Sequence, residues 1–378
     1  MSRLAWTTAV AVVLVVAVGA AVPIGREATV VTFVSPGVDR EEDVARPADA
    51  TTWRAGAWSR AHVWRSADVA DVAHRDLSAN PADPGGALSE PIVRCRFQLR
   101  ATSGTAPKFD CRLPDGEVVK VKYGGSGEVK AELAASRLLN ALGFGADRMY
   151  LVPRVRCYGC PRFPFHSVWV LEHLGVSELV SRHLPDTRYT DFEWVAVERH
   201  FEGTKIESHE DEGWSWFELD RIDPRTGASR AELDAFRLMA MFLVHWDNKS
   251  ANQRLVCATP LDPDTLDCPQ PFAIIHDVGA TFGPKRTNLE RWAATPVWTD
   301  PSRCRVSMRL LPHAGATFPD AEISEAGRAL LLKLLRGLEP GQILALFSGA
   351  RFADPQGWTQ AFQNKVREIE TAGPCRNY

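Results

Sequence analysis

Two short runs, far apart in the chain, carry side chains suited to handling a triphosphate. In HWDNKSANQ (His245 to Gln253), Asp247 is followed by Lys249 and Asn252. In IIHDVGATFG (Ile274 to Gly283), Asp277 and Gly279 follow the apolar run Phe272 to Ile275. Phosphoryl transfer calls for such a set. Mg²⁺ keeps an octahedral oxygen shell and takes only one or two carboxylates from protein, and Asp277 and Asn252 offer a carboxylate and an amide oxygen. A separate acceptor must orient the attacking hydroxyl, and a cation near the γ-phosphate must offset the charge growing there. Asp247 and Lys249 suit those two roles.

Regular elements must deliver these loops. Ser229-Arg230-Ala231-Glu232 is a capping box opening a helix with Leu233, Phe236, Ala240 and Leu243 on one side, which leads to His245. From Ile92 the pattern is one of short strands. Val93 to Leu99 and Phe109 to Leu113 alternate around a small-residue turn, Thr102 to Lys108, where Ser103, Gly104, Thr105 and Lys108 can lay N–H groups and hydroxyls over phosphates. Asp115-Gly116 predicts a hairpin turn into Glu117 to Tyr123, in which Lys120 and Lys122 share a face.

A helix is expected from near Glu128 to Gly143, with Glu132 close to its buried face. A carboxylate there needs a partner, and a strand lysine is the natural one. The expected pair is Lys122 and Glu132, with Lys120 and Glu128 as alternatives. Val168 to Leu171 and Trp194 to Glu198 read as strands. The second leads to Arg199, His200 and Phe201, where backbone groups of a hinge, with Glu198, can meet an adenine edge. Ile323 to Leu338 and Pro340 to Phe347 read as helices.

With 378 residues, 45% of them hydrophobic, the chain is long enough for two or three domains or one two-lobed enzyme. A net charge of -3 gives no basic field, so neither nucleic acid nor an anionic membrane is expected as the main partner. Residues 1–25 place Arg3 before the apolar run Ala9 to Val22, the pattern of a signal peptide or a membrane anchor. The eight cysteines then suggest disulfides. Cys257 and Cys268 bracket a Pro/Asp-rich excursion, and Cys95 and Cys111 sit on two strand-like runs. A zinc reading of Cys157-Tyr-Gly-Cys160 lacks a second pair. Residues 26–90 read as a tether with one packed helix at most. Their His74-Arg75-Asp76 run imitates a catalytic loop, but Pro81 and Pro84 point to a loop of no chemistry.

SGTAPKF (Ser103 to Phe109), the VKVKYG strand, VERHF (Val197 to Phe201) and HWDNKSAN occur in this order, and together they resemble the HipA-like serine/threonine kinases. The stretch Asp277 to Gly283 is similar to the metal loop of secretory-pathway kinases of the Golgi casein kinase type. The resemblance covers roughly residues 95–285. It implies an α+β, two-lobed protein-kinase-like fold, disulfide-bonded, with a strand-rich N-lobe over 91–200 and a mainly helical C-lobe over 201–378. Ser103 to Lys108 would be the phosphate loop, Lys122 the phosphate lysine, Asp247, Asn252 and Asp277 the catalytic and metal residues, and Phe282 to Trp298 a short activation segment. The cofactors implied are ATP with Mg²⁺ or Mn²⁺. The acceptor would be a protein hydroxyl outside the cytosol, with Ser or Thr leading, and the protein would be secreted, periplasmic or anchored by its N-terminal segment. An exported pseudokinase acting as a binding module, a sugar or lipid kinase and a nucleotidyl transferase are the alternatives. The phosphate loop has one glycine where common protein kinases have three, and Val278 stands where they have Phe.

Overall fold

The computed structural model describes residues 25–26, 49–66, 72–83, 85–100, 102, 104, 106–176, 187–208, 212–311 and 314–376. Residues 1–24 of the expected signal or anchor segment, Ser103 and Thr105 lie outside them. The fold is α+β, with a sheet-rich unit and a mainly helical one. Among the described residues no helix is long and apolar enough to cross a membrane.

The first unit takes in Ala82–Ser126 and Tyr150–Arg199, with β1 (Gly25–Arg26). Its strands β2 (Val93–Gln98), β3 (Lys108–Arg112), β4 (Val118–Lys122), β5 (Arg148–Tyr158) and β6 (Arg188–Arg199) form a sheet ordered β1-β6-β4-β3-β2-β5, and β5 also pairs with β6. The two strands read from alternation and the third read from the Asp115-Gly116 turn are present. Their inward residues, among them Val93, Phe97, Phe109, Val119, Val121 and Val197, share one apolar core.

β5 had not been anticipated, and β2 pairs in parallel with its later part, Val155 to Tyr158. One expected element proved to be of another kind. Val168 to Leu171, expected as a strand, is helical. It lies in α3 (Pro164–His173), which begins with proline at a first-turn position and buries Val168 and Leu171 one turn apart.

The second unit takes in Gly127–Met149 and His200 onward, with part of the stretch read as a tether. That stretch contributes α1 (Ala50–Ser59), whose Arg54 meets Glu218 at 3.0 Å and whose Trp58 indole donates to the Glu218 carbonyl. Asp76 of the imitation motif caps its own turn, accepting from the Ser78 amide and hydroxyl. Helix α2 (Gly127–Ala141), expected within the 91–200 half, clusters here instead. Phe144, just beyond it, stacks on Phe236, and Ala146 bridges to Ile275.

Helix α4 (Arg230–Leu243) has both bonds of its capping box, buries Leu233, Phe236, Ala240 and Leu243, and stops at Val244 with φ +55°. A three-stranded antiparallel sheet, β7 (Thr204–Lys205), β8 (Gln253–Cys257) and β9 (Pro271–Ile275), follows. Further helices are α5 (Leu289–Ala294), α6 (Glu325–Arg336), α7 (Pro340–Gly349) and α8 (Pro355–Thr371), with a short ladder of β10 (Arg305–Val306) and β11 (Ala321–Glu322). Disulfides join Cys95 to Cys111, Cys257 to Cys268, and Cys304 to Cys375; Cys157 and Cys160 are buried thiols.

Candidate active site

Asp247 and Asp277 lie on different runs, and the β8–β9 hairpin brings those runs together. Gln253 pairs with Ile275, so Asn252 and His276 stand at the same end of the ladder. The Asn252 side-chain amide donates to the Asp247 carbonyl at 2.7 Å, and the Asn252 carbonyl accepts from the His276 and Asp277 amides at 2.9 and 3.1 Å. Asp247, Asn252 and Asp277 are therefore consecutive members of one hydrogen-bonded chain. A second tie closes the other side, where the Phe282 amide donates to the Leu243 carbonyl and the Trp246 amide to the Ala280 carbonyl.

Burial differs along the first run. His245, Asn248 and Gln253 are fully buried, whereas the side chains of Asp247 and Lys249 keep 18% and 41% of their exposure. Asn248 Oδ1 accepts from the Thr317 and Phe318 amides at 2.8 and 2.9 Å, and its Nδ2 donates to the His245 carbonyl. With its amide oxygen turned to His245, Gln253 accepts from His245 Nε2 at 3.3 Å and from Trp216 Nε1 at 3.0 Å. Trp216 belongs to an aromatic bed with Trp214, Phe236 and Phe318 under the loop. Lys249 Nζ lies 3.3 Å from Asp247 Oδ2.

In the second run, Asp277 Oδ1 accepts from the Gly279 amide at 3.1 Å. Glu128, on the first turn of α2, lies against Gly279: a Cβ there would fall 2.7 Å from Glu128 Cγ. Beyond Gly283, within the segment expected to run from Phe282 to Trp298, the Trp292 indole donates to the Phe242 carbonyl, so α5 anchors this stretch beneath α4.

Asp147 was not foreseen. It is buried between two histidines, accepting from the Phe201 amide at 2.9 Å, contacting His200 Nδ1 at 3.1 Å and pairing with His276 Nδ1. Arg254 holds the other side of the His276 ring at 2.9 Å. Burial by itself would push the Asp147 carboxyl up, but His276 and His200 outweigh it and hold it well below the usual carboxylate range. Because His276 precedes Asp277, this cluster fixes the backbone from which the Asp277–Gly283 stretch starts. Only the adjacency of His276 to Asp277 could have hinted at it.

In the strand-rich unit, Lys122 Nζ meets Glu198 Oε2 at 2.7 Å and Lys120 Nζ meets Oε1 at 2.8 Å. The register sets Lys120 opposite Glu198, so one buried carboxylate receives both lysines that share the β4 face. The partner shown for Lys122 is thus on the same sheet, a role for the Glu198 side chain where only a hinge was expected. Glu132, the partner expected for Lys122, belongs to the helical unit and is buried there. Gly104 takes φ +85°, and a Cβ on it would fall 3.1 Å from Lys108 Nζ, so a side chain at 104 would crowd that ammonium. Lys108 pairs with Lys122 across β3 and β4.

Hard oxygen donors suit Mg²⁺ or Mn²⁺. The Asn252 amide nitrogen donates to the Asp247 carbonyl and Asp277 Oδ1 accepts from Gly279, so the Asn252 amide oxygen and Asp277 Oδ2 are the atoms that could meet such an ion.

No family model matches the chain, and no curated protein matches it. Among solved structures it is similar, at 12% identity and a TM-score of 0.39, to the Helicobacter pylori proinflammatory kinase CtkA, over 74% of this chain and 92% of that one.

Proposed function

We propose that this chain is an exported phosphotransferase that moves the γ-phosphate of ATP to a hydroxyl, with a protein Ser or Thr as the lead acceptor. The hydrogen-bonded chain Asp247–Asn252–Asp277, with the Asp247 and Lys249 side chains left accessible, carries the reading. Three disulfides support export.

Asp277 and Asn252 would hold the divalent ion, which when bound neutralises charge on the phosphates. Asp247 accepts the proton of the attacking hydroxyl and orients its oxygen. Lys249, against Asp247 Oδ2, offers its ammonium to the transferred group. Lys122, held by Glu198, is assigned the α- and β-phosphates.

The test is incubation of the purified, oxidised protein with γ-labelled ATP and Mn²⁺, beside thermal shift with metal and nucleotide. Asp247→Ala should abolish transfer and keep metal-dependent nucleotide binding, while Asp277→Ala should weaken that binding. Transfer at the wild-type rate in Asp247→Ala, or wild-type protein that binds neither metal nor nucleotide, would overturn the assignment.

A further inference from the structure

A second cluster of reactive side chains lies in the sheet-rich unit and uses none of the residues above. Cys95 on β2 stands opposite Cys157 on β5 in the parallel register and is bonded to Cys111 on β3. Cys157 Sγ lies 3.5 Å from Cys111 Sγ, and the sulfurs of Cys95, Cys111 and Cys157 all lie within 4.8 Å of one another. Cys160 follows Cys157 by three residues, just beyond the end of β5, and none of the four residues is more than 1% exposed. The surroundings are apolar, with Val93, Val119 and Val155 among the neighbours. A metal held by four thiolates would place net charge there without compensation, so the contact favours sulfur exchange over metal binding.

We propose that these four cysteines form an intramolecular disulfide relay, in which Cys157 opens the Cys95–Cys111 bond and Cys160 then closes a Cys157–Cys160 bond. In the first step the Cys157 thiol gives up its proton and its sulfur bonds to Cys111 Sγ. The Cys95–Cys111 bond breaks, and the Cys95 sulfur leaves with the electron pair and takes a proton. In the second step Cys160 attacks Cys157 in the same way, and Cys111 leaves as a thiol. One disulfide and two thiols are present before and after, so neither oxidant nor reductant is consumed. The mixed Cys111–Cys157 bond is the transient member, because β3 and β5 lie on opposite sides of β2.

The relay has a structural consequence. The Cys95–Cys111 bond staples the β2–β3 hairpin around the turn that holds Gly104 and Lys108, and the relay releases that staple while β5 gains a local one. Burial pushes both thiols up, and only the thiolate attacks, so exchange is slow near neutrality and accelerates about tenfold per pH unit.

The experiment is a time course on wild-type protein over a pH series, quenched in acid, alkylated in denaturant and mapped by mass spectrometry without reduction. The expected result is a mixture of Cys95–Cys111 and Cys157–Cys160 peptides, with the remaining two sulfurs alkylated and the approach to equilibrium faster at higher pH. Cys160→Ser should yield no form beyond the mixed Cys111–Cys157 bond, and Cys157→Ser should hold Cys95–Cys111 unchanged. Wild-type protein that keeps Cys95–Cys111 throughout, carries both disulfides at once, or holds zinc on four alkylatable thiols overturns the relay. Should the variants fail to fold, the wild-type map alone decides.

Discussion

Gly279→Ala isolates the packing between the Asp277–Gly283 stretch and α2. The added Cβ would fall 2.7 Å from Glu128 Cγ and 3.4 Å from both Glu128 Oε1 and Asp277 Oδ1. Carbon atoms pack at about 3.5–4.0 Å, so the Cγ contact is short by roughly 1 Å and either α2 or the loop must yield. Overpacking of this kind costs about 1–3 kcal/mol. At about 2–4 °C per kcal/mol for a unit of this size, the melting temperature should fall by roughly 2–12 °C. Gly279 has no left-handed φ, so the loss is steric and Glu128→Ala, which deletes Cγ, should relieve it. The assay is denaturation of wild type, the two single variants and the double variant, read as a double-mutant cycle. If Gly279→Ala melts with wild type, or loses as much with alanine at 128 as with glutamate, then Glu128 does not pack on Gly279 and the reasoning fails.

Asn248→Ala should leave the Thr317 and Phe318 amides without their acceptor, at about 1–3 kcal/mol for each buried donor, read as a lower denaturant midpoint. Lys365 is buried, donates to the Thr295 carbonyl, and has its pKa lowered to about 8 by burial, against the opposing pull of Glu368. The native state releases this proton before the unfolded state does, so the cost of burying the charge is full below about pH 8 and fades as pH rises towards the ordinary lysine value near 10.4. Lys365→Met should flatten the wild-type gain in stability over that window, and an unchanged pH profile would refute the assignment. Removing Cys304–Cys375, which spans 71 residues, should cost about 4 kcal/mol in the loop-entropy picture, against about 3 kcal/mol for Cys257–Cys268, which spans 11. Equal losses in urea titrations would show that loop entropy does not set the order.

What the amino-acid sequence determined here was local. Alternation placed β2 and β3, the Asp115-Gly116 turn placed β4, the Ser229 capping box placed the start of α4, and the run Phe272 to Ile275 placed β9 ahead of Asp277, because each signal lies within one or two turns of backbone. The pairings within the β2–β3 hairpin and the Cys257–Cys268 excursion were legible for the same reason. Partners for buried charge were decided by tertiary structure. The Lys122 ammonium meets Glu198 because the β4–β6 register sets that carboxylate against the lysine face. Asp147 gathers His200 and His276 from segments far from it in sequence, and Asn252 is bound to both Asp247 and Asp277 through a hairpin whose pairing neither motif encodes. A buried charge needs a compensating group nearby in space, at whatever separation along the chain, so composition and spacing announce the need while the packing of sheets and helices chooses the residue that meets it.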